Sequence, residues 1–466
     1  MEKSKLLDLL STFSNQEWRD FRDMIRSPYF NRNEDIIRLG DWLGTNIGRP
    51  LERNAVFKAA LPGTRYQEAQ MNHIMSDLLK LGEQFVGMAY LEKNSFWSDY
   101  FSLHALSERG LDKHYRHLFE KKQHALSVAS NLGSRHYWER YWLNDLESNR
   151  LSQELGGKHN TFVQLASDSL DNFYLAEKLR LACFMLTSER LLAVPYQIRM
   201  AEEAADYLSR HPLPEQAPAV KAYFLVFQLL HTQDAHAAFE QLRDALPALQ
   251  SQLSHIETEE IYQYIINYCN LQIMQLQEKY LPEAFNLYVQ GIESGVMIKN
   301  GQLSPWHFKN MIKLALRLKK YDWTEQFIQS HAHLLPADLR EDAFHFNLAE
   351  LYYYTGQNDK AQWHLNQVES SDISYNLGAK IMLAKIYYET DAFDALESLL
   401  HAFVIYLRRS RSLSEEIRRT YLNFASLLQR LMQARPDQHA ALRTKIESTK
   451  LLAAKTWLLK MAGNID

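Results

Sequence analysis

Two stretches decide the fold: Asp342–Val368, DAFHFNLAELYYYTGQNDKAQWHLNQV, and Leu377–Phe403, LGAKIMLAKIYYETDAFDALESLLHAF. Each opens on an apolar helix with Ala and Tyr three residues apart, Ala349 with Tyr352 and Ala384 with Tyr387, and continues into a second amphipathic helix. The two alanines lie 35 residues apart (384 minus 349). One helical hairpin cannot bury its apolar face alone, whereas stacked neighbours can, so a period of this size marks a helical repeat array. Such arrays bind more often than they catalyse.

Composition agrees with long helices. Hydrophobic residues make up 46% of the 466, with only 16 Gly and 12 Pro, too few turn formers for a strand-and-turn fold of this length. The two cysteines, Cys183 and Cys269, sit in apolar helical patterns where a thiol packs as a small hydrophobe. Residues 1–10 are mixed and charged, unlike a signal peptide, and no run approaches the ~18 apolar residues of a membrane helix. The expectation is a cytoplasmic protein without membrane association. Charge is uneven: residues 401–466 carry 12 Lys+Arg against 5 Asp+Glu, net +7, so residues 1–400 sum to −11 of the overall −4. A gradient of this kind can steer a charged partner.

Residues 1–92 read as an N-terminal domain of about five short helices. Ser14 and Glu17 form a capping box ahead of Trp18, Phe21, Met24 and Ile25, and Asn33 caps the next helix. Residues 93–212 read as an irregular array of paired helices, including Leu103–Leu132, Phe162–Leu192 and Gln197–Arg210, with a joint at His211-Pro212-Leu213-Pro214. Residues 213–436 hold the more regular repeats, and residues 437–466 a Lys-rich capping helix.

This array resembles the tetratricopeptide repeat family. Lys320-Tyr321-Asp322-Trp323-Thr324 matches that family's second-helix opening, and Ala349, Tyr352, Gly356 and Ala361 give the best-matched hairpin. Ala238, Ala284, Thr324, Ala361 and Leu396 occupy corresponding second-helix positions, where small residues let two helices approach to 8–10 Å. The resemblance implies an all-α, right-handed α-α superhelix with a small N-terminal helical domain, acting as a protein-binding scaffold or adaptor. The string from Phe13 to Trp18 and on through Ser27-Pro28-Tyr29-Phe30-Asn31 is also similar to the start of helical-repeat proteins of Bacteroidota, a resemblance that carries no activity to transfer.

In the tetratricopeptide family, ligands lie against the first helices of successive hairpins. The matching positions are Lys309, Lys313 and Arg317, then Phe346, Asn347, Glu350, Tyr353 and Tyr354, then Ile381, Lys385 and Tyr388. Cations mixed with aromatic rings suit an extended or helical peptide with acidic and apolar anchors. Lys309, Lys313 and Asn347 match only part of the family's carboxylate-clamping set. A second candidate is the cluster Arg408, Arg409, Arg411, Arg418 and Arg419, flanked by Tyr406 and Tyr421, which could hold a planar anion or cap helix ends after a box at Ser412 and Glu415.

Catalytic and cofactor signatures are missing. Gly156-Gly157-Lys158 lacks the hydroxyl residue that completes a phosphate loop, since His159 follows. His114, His117, His124 and Glu120 share a helical face, but Lys113, Arg116, Lys121 and Lys122 surround them and oppose a cation. No enzyme activity, metal or cofactor is expected. Nucleic acid is a poor partner for the N-terminal domain, whose 12 basic and 12 acidic residues in 1–90 cancel, although the basic C-terminal end keeps a regulatory role open.

Overall fold

The computed structural model is 79% helix and 1% strand, an all-α, solenoid-like fold. It describes residues 4–49, 51–154, 159–192, 195–211, 217–232, 235–368, 373–410, 413–435 and 438–463. Gly156-Gly157-Lys158, the joint at 212–214, Arg411 and Ser412 lie outside them. Among the described residues are 23 α-helices and one two-stranded hairpin. The chain divides into two compact units, Met1–Ala129 with Arg135–Phe173, and Ser130–Ser134 with Tyr174–Asp466.

The first unit begins with α1 (Lys5–Leu10), α2 (Asn15–Arg26), α3 (Glu34–Asn46), α4 (Arg53–Ala60) and α5 (Glu68–Lys93). The capping box forms as the sequence dictates: the Glu17 amide donates to Ser14 Oγ at 3.2 Å and the Ser14 amide donates to Glu17 Oε2 at 2.8 Å. Asn33 accepts from the Asp35 amide and starts α3. Trp18, Phe21 and Ile25 then pack with Leu39, Leu43, Phe57, Leu78 and Phe85 into one core. Next come α6 (Ser95–Glu108) and α7 (Asp112–Ser127), most of α8 (Ser134–Glu154) and the opening of α9 (Thr161–Leu192). A single helix over Leu103–Leu132 is not formed. Gly110, at φ +66°, closes α6 with the left-handed turn that glycine alone adopts without penalty, and α7 restarts after it.

The second unit contains the rest of α9, then α10 (Ala201–Arg210), α11 (Pro218–His231), α12 (His236–Gln252), α13 (His255–Met274) and α14 (Tyr280–Glu293). The segment before α10 stays non-helical as far as Met200, whose φ of +60° sets the helix start four residues later than Gln197. A hairpin of β1 (Ile298–Lys299) and β2 (Gln302–Leu303) follows, turning on Asn300-Gly301, both at positive φ. Then come α15 (Pro305–Arg317), α16 (Tyr321–His331), α17 (Arg340–Tyr354), α18 (Asn358–Leu365), α19 (Ile373–Glu389), α20 (Phe393–Arg409), α21 (Glu415–Gln433), α22 (His439–Ser448) and α23 (Lys455–Gly463).

Packing in this unit is that of a stacked array. Each helix touches the next, and the first helices of successive hairpins also touch one another, α15 with α17 and α17 with α19. Ala238, Ala284, Thr324, Ala361 and Leu396 are all buried. Four of the five are small, and Thr324 satisfies its hydroxyl by donating to the Lys320 carbonyl at 2.7 Å.

Candidate functional site

The first helices α15 and α17 present their side chains in a constant register, and α19 packs beside α17. Lys309 pairs with Phe346, Lys313 with Glu350 and Arg317 with Tyr354, each 37 residues apart (346 minus 309, 350 minus 313, 354 minus 317), so the two helices run side by side turn for turn. Positions four apart lie on one helix face, which is why 309, 313 and 317 line up. All eleven residues placed on this face by sequence belong to these three helices.

At one end the Lys309 ammonium lies 5.0 Å from the centre of the Phe346 ring and 5.5 Å from that of Tyr375, a cation held over two aromatic faces. The two rings meet edge to face at 5.4 Å. Phe346 itself is buried, and it rests on the bare backbone of Gly378 in α19.

In the middle Glu350 is buried although it is a carboxylate. Among the described residues its Oε2 has no hydrogen-bond partner, and neither has the Oδ1 of Asn347, one turn earlier on the same helix. The Asn347 amide nitrogen donates to the Ala343 carbonyl at 2.6 Å, which fixes which end of the amide faces inward. Burial pushes the Glu350 carboxyl above its ordinary range, while Lys313, Lys309 and Lys385 pull it back. Lys385 feels the converse: burial pushes its ammonium down, and Glu350 and Glu389 support the charge. Three cations from the two helices that flank α17, Lys309 and Lys313 on α15 and Lys385 on α19, thus act on one buried carboxyl, leaving the cluster with excess positive charge. Lys313 and Arg317 are exposed.

The other end is closed by the chain's own last helix. Trp457 of α23 donates its indole N–H to Glu389 Oε1 at 2.6 Å, and the Tyr353 hydroxyl donates to the same oxygen at 2.8 Å. The Trp457 ring meets Tyr388 edge to face at 5.6 Å and lies 5.8 Å beneath the Lys385 ammonium. Beside it a depression of about 410 Å³ is lined by Tyr353, Tyr354, Gly356, Asn358, Glu389, Lys460 and Met461. The reading of residues 437–466 as a simple cap had no signal for this return, because Trp457 and Glu389 are 68 residues apart.

The arginine cluster has a different arrangement. Arg418 donates through Nε to the Leu407 carbonyl at 3.0 Å and through Nη2 to the Ser410 carbonyl at 2.9 Å, and it pairs with Glu415. It therefore satisfies the carbonyls that end α20. Arg408, Arg409 and Arg419 are exposed. The cap of α21 is Ser414, whose Oγ accepts from the Ile417 amide at 3.3 Å.

His114, His117, Glu120 and His124 are all exposed on α7, and Lys122 on that helix pairs with Asp99. Among the described residues no group of three or more His, Cys, Asp and Glu is placed to hold a metal ion, and no helix is long and apolar enough to cross a membrane. Comparison of the chain with protein-family models, with curated proteins and with solved structures finds no match.

Proposed function

We propose that the second unit is a tetratricopeptide-like binding module whose α15–α17–α19 face takes an acidic segment of a protein partner, the chain serving as a scaffold or adaptor in the cytoplasm. The observation that carries this reading is the cluster around Glu350. A buried carboxylate with an unpartnered oxygen destabilises a fold, since neighbouring lysines that make no hydrogen bond to that oxygen offset its desolvation poorly. Here it fixes the field in which Lys309, Lys313 and Lys385 converge, and the excess positive charge at the surface is available to a carboxylate-bearing ligand. The aromatic rings along the same ladder supply the apolar anchors that a peptide needs, because rigid rings give contact area at low entropic cost.

The test is a titration of fluorescein-labelled peptides that alternate Glu or Asp with aromatic residues, followed by anisotropy. Saturable binding that weakens with salt and falls about tenfold in Lys313→Glu supports the reading, tenfold being a loss of about 1.4 kcal/mol. Binding that ignores both salt and Lys313→Glu removes it. The exposed position of Lys313 keeps this variant folded.

A further inference from the structure

The end of the ladder at Tyr388 carries more than a cap. We propose that Tyr388, Lys385 and Glu389 form a subsite for an aromatic anchor bearing an N–H donor, the side chain of a tryptophan on a helical segment, and that Trp457 of α23 is its resident occupant and must leave before a partner's tryptophan can enter.

Three features of a recognition pocket meet there. The Lys385 ammonium lies over the indole ring and Tyr388 meets the same ring edge to face, so a cation–π contact and an aromatic contact address one side chain. Glu389 Oε1 accepts the indole N–H at 2.6 Å, a charge-assisted bond that phenylalanine could not make. Tyr353 donates to the same oxygen and holds the carboxylate in place for that bond. All four residues lie on α17 and α19, the first helices that carry Glu350 and Lys385, and Lys385 belongs to both groups.

The occupant's helix packs on α22 and α21 but buries few side chains completely. Only Leu458 and Ala462 of α23 are buried, whereas α21 alone buries five side chains. The helix is entered through Ala454 at φ +51°, a left-handed conformation that is strained for a non-glycine residue. Lys455 clamps the entry by donating to the Glu447 and Thr449 carbonyls at 2.6 and 3.2 Å. A short helix with two fully buried side chains, a strained start and polar ties at its entry, from Lys455 and from Asn423 to the Leu451 carbonyl, can be exchanged for an equivalent segment.

Because this subsite extends the peptide-binding reading of the same face, two probes keep their failures apart. The first is a fluorescein-labelled synthetic copy of residues 450–466, titrated into the full chain as wild type, Trp457→Ala and Lys455→Ala. A tethered helix competes at an effective concentration on the order of millimolar, so micromolar copy cannot enter the wild type. Trp457→Ala is expected to bind the copy at least about tenfold more tightly than wild type, and a copy with alanine at its tryptophan is expected to lose that gain. Lys455→Ala, which touches nothing in the subsite, is expected to show a smaller gain in the same direction and guards against misfolding of the first variant. Equal binding of the copy by all three chains, each melting as a folded protein, overturns the proposal. The second probe is the acidic peptide set: if none of it binds any chain while the copy still prefers Trp457→Ala, the acidic-ligand reading fails and the tryptophan subsite stands.

Discussion

The Phe346 ring rests so closely on Gly378 that a Cβ added there would lie 2.8 Å from Phe346 Cε2, inside the distance at which real Cβ atoms are found. Glycine inside a helix normally costs up to about 1 kcal/mol, so its presence in the middle of α19 needs a reason. That reason is the ring, whose Cε2–Cζ edge comes up against the neighbouring backbone while the ring meets Tyr375 and the Lys309 ammonium.

Gly378→Val is therefore expected to destabilise the second unit by about 1–3 kcal/mol, the usual cost of overpacking. Urea unfolding measures it. The same variant displaces Phe346 and should weaken the acidic peptides, whereas Gly378→Ala, with its better helix propensity set against a smaller intrusion, should fall between wild type and Val. A Val variant as stable as wild type means that α19 has shifted, and Phe346 with it.

Arg418 and Arg408 separate structure from surface within one cluster. Arg418→Ala leaves the Leu407 and Ser410 carbonyls without their donor and is expected to cost about 2 kcal/mol. Arg408→Ala and Arg409→Ala, both exposed, should stay within about 0.5 kcal/mol of wild type. Thermal unfolding of the three variants decides it, and equal effects would show that the α20–α21 turn does not depend on this donor.

Much of the fold is legible because local chemistry specifies it. The Ser14–Glu17 box, the Asn33 cap and the small residues at 238, 284, 324 and 361 are short-range signals, and the structure puts each where physics requires it. Some signals are equally local but lie hidden in a helical context. Asn300-Gly301 is a hairpin turn by composition, Ser254 with Glu257 is a capping box that starts α13, and Gly110 is a helix stop. The register of α15 against α17 could be read once the 37-residue offset was noticed, and with it the meeting of Lys313 and Glu350. The return of α23 could not, since nothing near Trp457 in sequence encodes Glu389 as its acceptor. Burial of Glu350 is likewise invisible locally, because a helix face is buried or open only according to what stacks on it.

The two cysteines should be inert in the folded chain. Both are fully buried, and burial pushes the Cys269 thiol up to about 12 and the Cys183 thiol higher still. At pH 8 a thiol titrating near 12 is thiolate in only about one molecule in ten thousand, and the thiolate is the reactive species. Ellman's reagent is expected to modify neither residue in native buffer and both in denaturant. Rapid modification of the native protein would place one of these helices in a more open arrangement.

Glu350 gives the stability of the second unit a pH dependence of defined sign. Burial raises its folded-state pKa above the ordinary 4.5, with Lys313, Lys309 and Lys385 opposing that shift. Below pH 4.5 both folded and unfolded chains hold the proton, and the buried group is neutral. As pH rises through the folded-state value the unfolded chain releases its proton more readily, so the native state loses stability. Glu350→Gln keeps the shape without the charge and removes this loss. The variant is therefore expected to match wild type near pH 4.5 and to exceed it at pH 8 by about 1–3 kcal/mol, the cost of a buried acceptor left unsatisfied. Urea midpoints from pH 4.5 to 8 give the difference. If wild type is instead the more stable at pH 8, the three lysines more than offset the burial and Glu350 serves as their structural counter-ion. In either case the variant frees the lysines from their internal anion, and an acidic peptide should bind Glu350→Gln more tightly than wild type at pH 8.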